Sequence, residues 1–131
     1  MNDLNFEDCL LNIPYPQHDI YNSLSMPVYN AAAYEFKTAA DMEAAFCGKT
    51  ADHTYSRISN PTVHYFEERV KHITGAYNVT AFNSGMAAIS NVFMSIAYSG
   101  ANIVTSRHLF GNTYSFFANT LKAFDVEVRF C

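Results

Sequence analysis

Short apolar runs alternate with helical patterns across the second half of the chain, and this alternation constrains the fold most. The run Val79 to Phe82 is followed by Asn83-Ser84-Gly85, then by a helical spacing through Met86, Ile89, Phe93 and Ile96 that closes at Gly100. The unit repeats as Asn102 to Thr105, a turn around Gly111, a helix from about Thr113 to Phe124, and a third run, Val126 to Phe130. Strands alternating with helices of this length need right-handed crossovers, which predicts an α/β fold with a parallel sheet. Parallel strands also need cover on both faces and neighbours on both edges. Three strands leave that need unmet, so the segment reads as the front part of a larger protein, or as one that completes its sheet with a partner.

The boundary of this region is set by "SNPTVHYFEERVKHITG". Asn60 can cap a helix, Pro61 suits its first position, and Val63, Phe66, Val70 and Ile73 recur at helical spacing before Gly75. Glu67 and Lys71 are placed for an i,i+4 pair. Residues 61–131 are therefore expected to form a βαβαβ unit, with residues 1–60 as an extended arm. Pro14, Pro16 and Pro27 interrupt that arm, and one short helix over "TAADMEAAF", capped by Thr38, is predicted within it.

A chain of 131 residues, half of them hydrophobic, is long enough to bury a core. Its net charge of −4, without like-charge runs, argues against a nucleic-acid or membrane surface and favours a small-molecule or protein partner. Cys9, Cys47 and Cys131 are odd in number and lack CxxC spacing, which suggests neither a disulfide framework nor a zinc site. With no signal sequence and no long apolar span in view, a cytoplasmic location is expected. His18, His53, His64, His72 and His108 show no ligand spacing, so no metal is expected.

Three stretches have chemical potential. In "FNSGMAAIS", Ser84 and Gly85 lead into a helix whose free N–H groups and dipole favour a phosphate, although an ordinary capped turn would read the same way. In "SRHLFGNTY", the ring of Phe110 could stack on a flat ligand or fill the core. In "YSRISNPT", an extended backbone would point Tyr55 and Arg57 to the same side, where both could reach one anion; the alternative is a solvated loop arginine. A nicotinamide reading fails for want of GxGxxG, and no GxSxG surrounds Ser84 to suggest a hydrolase.

Together, "PVYNAAAYEF", "YSRISNPT", "FNSGMAAIS" and "LFGNTYSFF" resemble the Cys/Met-metabolism pyridoxal-phosphate enzymes, over about Met26 to Cys131. The resemblance implies a fold-type I enzyme of sulfur amino-acid metabolism. Its expected parts here are an N-terminal arm and an incomplete large parallel-sheet domain, and its cofactor is pyridoxal 5'-phosphate. It implies that Tyr55 and Arg57 bind the cofactor phosphate of a neighbouring subunit in a homo-oligomer, with Tyr55 also the candidate catalytic phenol. Gly85 and Met86 would hold the phosphate in their own subunit through backbone N–H groups. Phe110 falls where the family usually has a tyrosine stacked on the pyridine ring, so stacking can persist without the hydroxyl; Asn112 replaces a common glycine.

The implied chemistry is elimination or replacement at the γ or β carbon of an amino-acid substrate, making or breaking C–S bonds on homoserine esters, cystathionine or methionine. It needs a Schiff-base lysine, and Lys37, Lys49, Lys71 and Lys122 stand in none of the family's lysine contexts. The 131 residues alone are therefore expected to be inactive. Two other readings stay open: a non-catalytic remnant or interaction module, marked by a folded chain without cofactor absorbance, and a phosphate-ligand domain that binds nucleotides but not pyridoxal phosphate.

Overall fold

The computed structural model describes residues 21–131, which fall into two compact units divided between Ala81 and Phe82. The first two prolines of the predicted arm, Pro14 and Pro16, together with Cys9 and His18, lie outside the described residues.

In the first unit, helix α1 spans Ala39–Phe46 and α2 spans Pro61–Thr74. Both begin where local chemistry dictates. The Thr38 hydroxyl accepts from the Asp41 N–H at 3.1 Å, and the Asn60 side-chain oxygen Oδ1 accepts from the Thr62 N–H at 2.8 Å ahead of Pro61. Helix α2 ends at Gly75, whose φ of 66° is a left-handed conformation that glycine adopts without a Cβ penalty. Among the described residues no helix precedes Ala39.

Two expectations fail here for one reason. Lys71 pairs with Glu68, at 3.1 Å, and not with Glu67. The Glu67 carboxylate instead accepts the Ala81 N–H at 2.7 Å, from inside the run expected to be the first strand. That run, Val79 to Phe82, carries no ladder and is not a strand. A strand exists only through its neighbour, and the two strands among the described residues pair with each other.

The second unit opens with α3, Gly85–Ile96, and continues through β1, Asn102–Thr105, and α4, Gly111–Ser115. A π turn, Phe116–Thr120, then joins α4 to the short α5, Leu121–Ala123, before β2, Glu127–Phe130. The expected single helix from Thr113 to Phe124 is thus present but widened in its middle. An ideal helix would set adjacent residues about 100° apart; with the wider turn, Phe116 and Phe117 both reach the core.

The strands are parallel, in register from Asn102 opposite Glu127 to Thr105 opposite Phe130. The pairing runs on past the strand ends: Cys131 N–H donates to Thr105 at 2.9 Å and Arg107 N–H to Cys131 at 3.0 Å. Phe117, Leu121 and Val126 form the buried centre, with Phe93 set edge-on to Phe117 at 4.6 Å between ring centroids. Ile103 and Val128 turn toward this core, while Val104, 63% exposed, stands on the opposite face.

Candidate functional site

The first group of candidate residues lies in the first unit, on the segment that leads into α2. Tyr55 to Ile58 is a turn, not the extended segment expected: the Tyr55 carbonyl accepts from both Ile58 N–H, at 2.8 Å, and Ser59 N–H, at 3.0 Å. Strand-like alternation therefore does not align the two side chains. Stacking does, with the Arg57 guanidinium 4.7 Å from the centroid of the Tyr55 ring. Both side chains are exposed. Among the described residues Arg57 makes no ion pair, and its side chain is exposed. A stacked, unpaired guanidinium beside a phenol can take an anion through several charge-assisted hydrogen bonds.

This turn is held by its surroundings. Ser56 N–H donates to Ala32 at 2.9 Å, and the Ser56 hydroxyl donates to the Ala31 carbonyl. An isolated antiparallel bridge joins Tyr55 to Ala33. His53 Nδ1 lies 2.9 Å from the Ser59 hydroxyl. Burial, and then the charge of His64, lower the His53 pKa against a smaller opposing effect of Asp52.

The second group lies in the second unit, at the start of α3. Ser84 caps the helix by accepting the Ala87 N–H at 3.1 Å, as the sequence suggests. The N–H groups of Gly85 and Met86 precede the first intrahelical partner and keep their donor capacity. A Cβ at Gly85 would meet no atom within 4 Å, and the backbone there has no positive φ. Neither packing nor conformation requires glycine at this position. The open space lies at a helix N-terminus, where an anion is favoured, and the donor set suits a phosphate monoester.

Phe110 occupies the N-cap position of α4 and is 74% exposed, so the reading of Phe110 as a core residue does not hold. Its loop follows the carboxyl end of β1, where ligands of open α/β sheets gather. Thr113, one turn inside α4 and buried, directs its hydroxyl to Met86 Sδ at 3.5 Å. That contact brings the starts of α3 and α4 together, so Gly85, Met86 and the Phe110 loop open at one end of the second unit. Tyr55 and Arg57 belong to the other unit.

Sequence reasoning did not find Thr113, nor the second task of Asn60 described below. Thr113 gave no signal because its partner lies 27 residues away. Among the described residues no three His, Cys, Asp or Glu side chains gather into a metal site, and no helix is long and apolar enough to cross a membrane.

Residues 10–131 match the model of the family described as Cys/Met metabolism PLP-dependent enzyme. The O-succinylhomoserine sulfhydrylase of Pseudomonas aeruginosa is 41% identical over 103 residues, covering 79% of this chain and 26% of the relative. The O-acetyl-L-homoserine sulfhydrylase of Corynebacterium glutamicum is 35% identical over 106 residues, covering 81% of this chain and 24% of the relative. A structure described as an O-acetylhomoserine (thiol)-lyase of Campylobacter jejuni, containing N'-pyridoxyl-lysine-5'-monophosphate, superposes with a TM-score of 0.88 at 32% identity. The match covers 98% of this chain and 31% of that one. The chain thus spans about a quarter of the length of these curated relatives.

Proposed function

This chain belongs to the Cys/Met metabolism PLP-dependent enzyme family, and we propose that it furnishes the phosphate-holding part of an enzyme that makes or breaks C–S bonds in sulfur amino acids. The observation that carries this reading is the start of α3, where two free N–H groups border open space at Gly85. A homoserine ester is the favoured substrate class, because the similar proteins named above are sulfhydrylases or a thiol-lyase of such esters.

In this reading Gly85 and Met86 would hold the cofactor phosphate through their backbone N–H groups, and the exposed Phe110 ring would stack on the pyridine ring. Tyr55 and Arg57 extend from one subunit to the phosphate held by its neighbour, which makes the working form a homo-oligomer. The pair neutralises the phosphate charge, and the Tyr55 phenol is placed to hold or move a proton beside it. When bound, pyridoxal 5'-phosphate supplies the electron sink for a carbanion at the substrate α-carbon. Phe110 offers the ring without a hydroxyl, so a proton moved at that face must come from another group. The cytoplasm is the proposed compartment.

The test is an absorbance titration with pyridoxal 5'-phosphate and, in parallel, with pyridoxal. Binding should depend on the phosphate, and Arg57→Ala should weaken it by about 10- to 150-fold, the loss of charge-assisted hydrogen bonds worth about 1.5–3 kcal/mol. Unchanged affinity in that variant removes Arg57 from the site. In a protein that joins this segment to a part bearing the Schiff-base lysine, homocysteine formed from an O-acylhomoserine and sulfide reports the proposed reaction class.

A further inference from the structure

Asn60 is 8% exposed, and both ends of its carboxamide are engaged. Its oxygen accepts from Thr62 N–H at 2.8 Å and Val63 N–H at 3.4 Å, which is the cap of α2. Its nitrogen lies 3.0 Å from the Tyr29 carbonyl, 3.1 Å from the Tyr34 hydroxyl and 2.9 Å from the Ser56 hydroxyl. A cap needs only the oxygen, and Ser, Asp and Asn fill that role about equally well. Of those three, only Asn also brings an amide donor with two hydrogens.

The donor is aimed at the residue between the phenol and the guanidinium. Ser56 separates Tyr55 from Arg57, and its own hydroxyl goes on to the Ala31 carbonyl. The Tyr34 hydroxyl, 3.2 Å from Ser56 Oγ, closes the network. We propose that Asn60 is a positioning residue: its amide nitrogen fixes the Tyr55–Arg57 turn against residues 29–34, independently of its capping of α2. A turn ordered in advance need not be ordered by its ligand, so the network raises the affinity of the pair for phosphate without touching it. This inference rests on the assignment of Tyr55 and Arg57 to the phosphate.

Asn60→Asp separates the two tasks. A carboxylate keeps the cap but replaces the donor with an oxygen facing the Tyr29 carbonyl. In the full chain, the Ser56 amide, bonded to Ala32 in the native turn, should then exchange its hydrogen about 10-fold faster, while the amides of α2 keep their protection. The preference for pyridoxal 5'-phosphate over pyridoxal should fall about 10-fold, with pyridoxal affinity unchanged. Ser56→Ala, which leaves the cap intact, should move both readouts in the same direction and serves if Asn60→Asp does not fold. Unchanged Ser56 exchange or an unchanged preference overturns the inference. If Arg57→Ala lowers the preference and the Asn60 and Ser56 variants do not, the positioning role alone is lost. If Arg57→Ala has no effect either, the phosphate assignment is lost and the positioning role with it.

Discussion

Gly85→Ala distinguishes a glycine kept for the fold from one kept for a ligand. The added methyl would meet no atom within 4 Å, and the residue is the first of α3 with no positive φ. The fold should therefore tolerate the change and gain from it: replacing glycine by alanine in a compatible conformation stabilises by about 0.4–1 kcal/mol, mostly by restricting the unfolded chain. In a domain of this size that is a rise in melting temperature on the order of 2–4 °C. The ligand should not tolerate it. Each Cα–Cβ bond of a helix tilts toward the N-terminus, so the methyl projects into the space where an anion would meet the Gly85 and Met86 N–H groups. Displacing the phosphate from one such hydrogen bond costs about 1.5–3 kcal/mol, or about 10- to 150-fold in affinity. Thermal unfolding and a pyridoxal 5'-phosphate titration on the same preparations give both numbers. A stable variant with undiminished affinity would refute phosphate binding at this helix start; a destabilised one would refute the claim that packing leaves the position free.

Leu121→Ala should cost about 2–5 kcal/mol in a denaturant titration, because Leu121 is fully buried between Phe117 and Val126 and its removal leaves a cavity; a loss below 1 kcal/mol would mean that this cluster is not the core of the second unit. His53 gives a pH dependence with a definite sign. Its folded pKa is lowered below 6.5, first by burial, so the unfolded chain binds the proton more tightly. The contribution of neutral His53 to stability is complete above pH 6.5 and is lost as pH falls toward the lowered value. His53→Gln should flatten the stability slope just below pH 6.5, and an unaltered slope would show that the His53 proton is not linked to folding.

The helix starts were legible because each is decided by residues within four positions of one another. Thr38, Asn60 with Pro61, and Ser84 all cap as their sequence contexts imply. The parallel pairing of Asn102–Thr105 with Glu127–Phe130 followed from alternation and crossover geometry. What could not be read depends on distant partners. Val79 to Phe82 has the composition of a strand, yet a carboxylate from α2 takes the Ala81 N–H that a ladder would have used. Tyr55 and Arg57 stand together by stacking and not by the expected strand-like alternation, because residues 31–33, more than twenty positions upstream, shape the turn between them.

The division between frame and site is visible in burial. Gly85 is free of packing demands, Phe110 is 74% exposed, and Arg57 lies exposed over the Tyr55 ring. Next to them stand the buried polar residues Thr54, Asn60 and Thr113. Burying a polar group is unfavourable unless its hydrogen bonds are made. Asn60 makes its bonds to the turn that carries Arg57, and Thr113 directs its hydroxyl to the helix start that carries Gly85 and Met86. An apolar group at position 60 or 113 would fill the space without bonding to the segment that presents the donors. Polar ones, bonded to the segments that present exposed donors, are what the proposed phosphate contacts require of the frame within each unit.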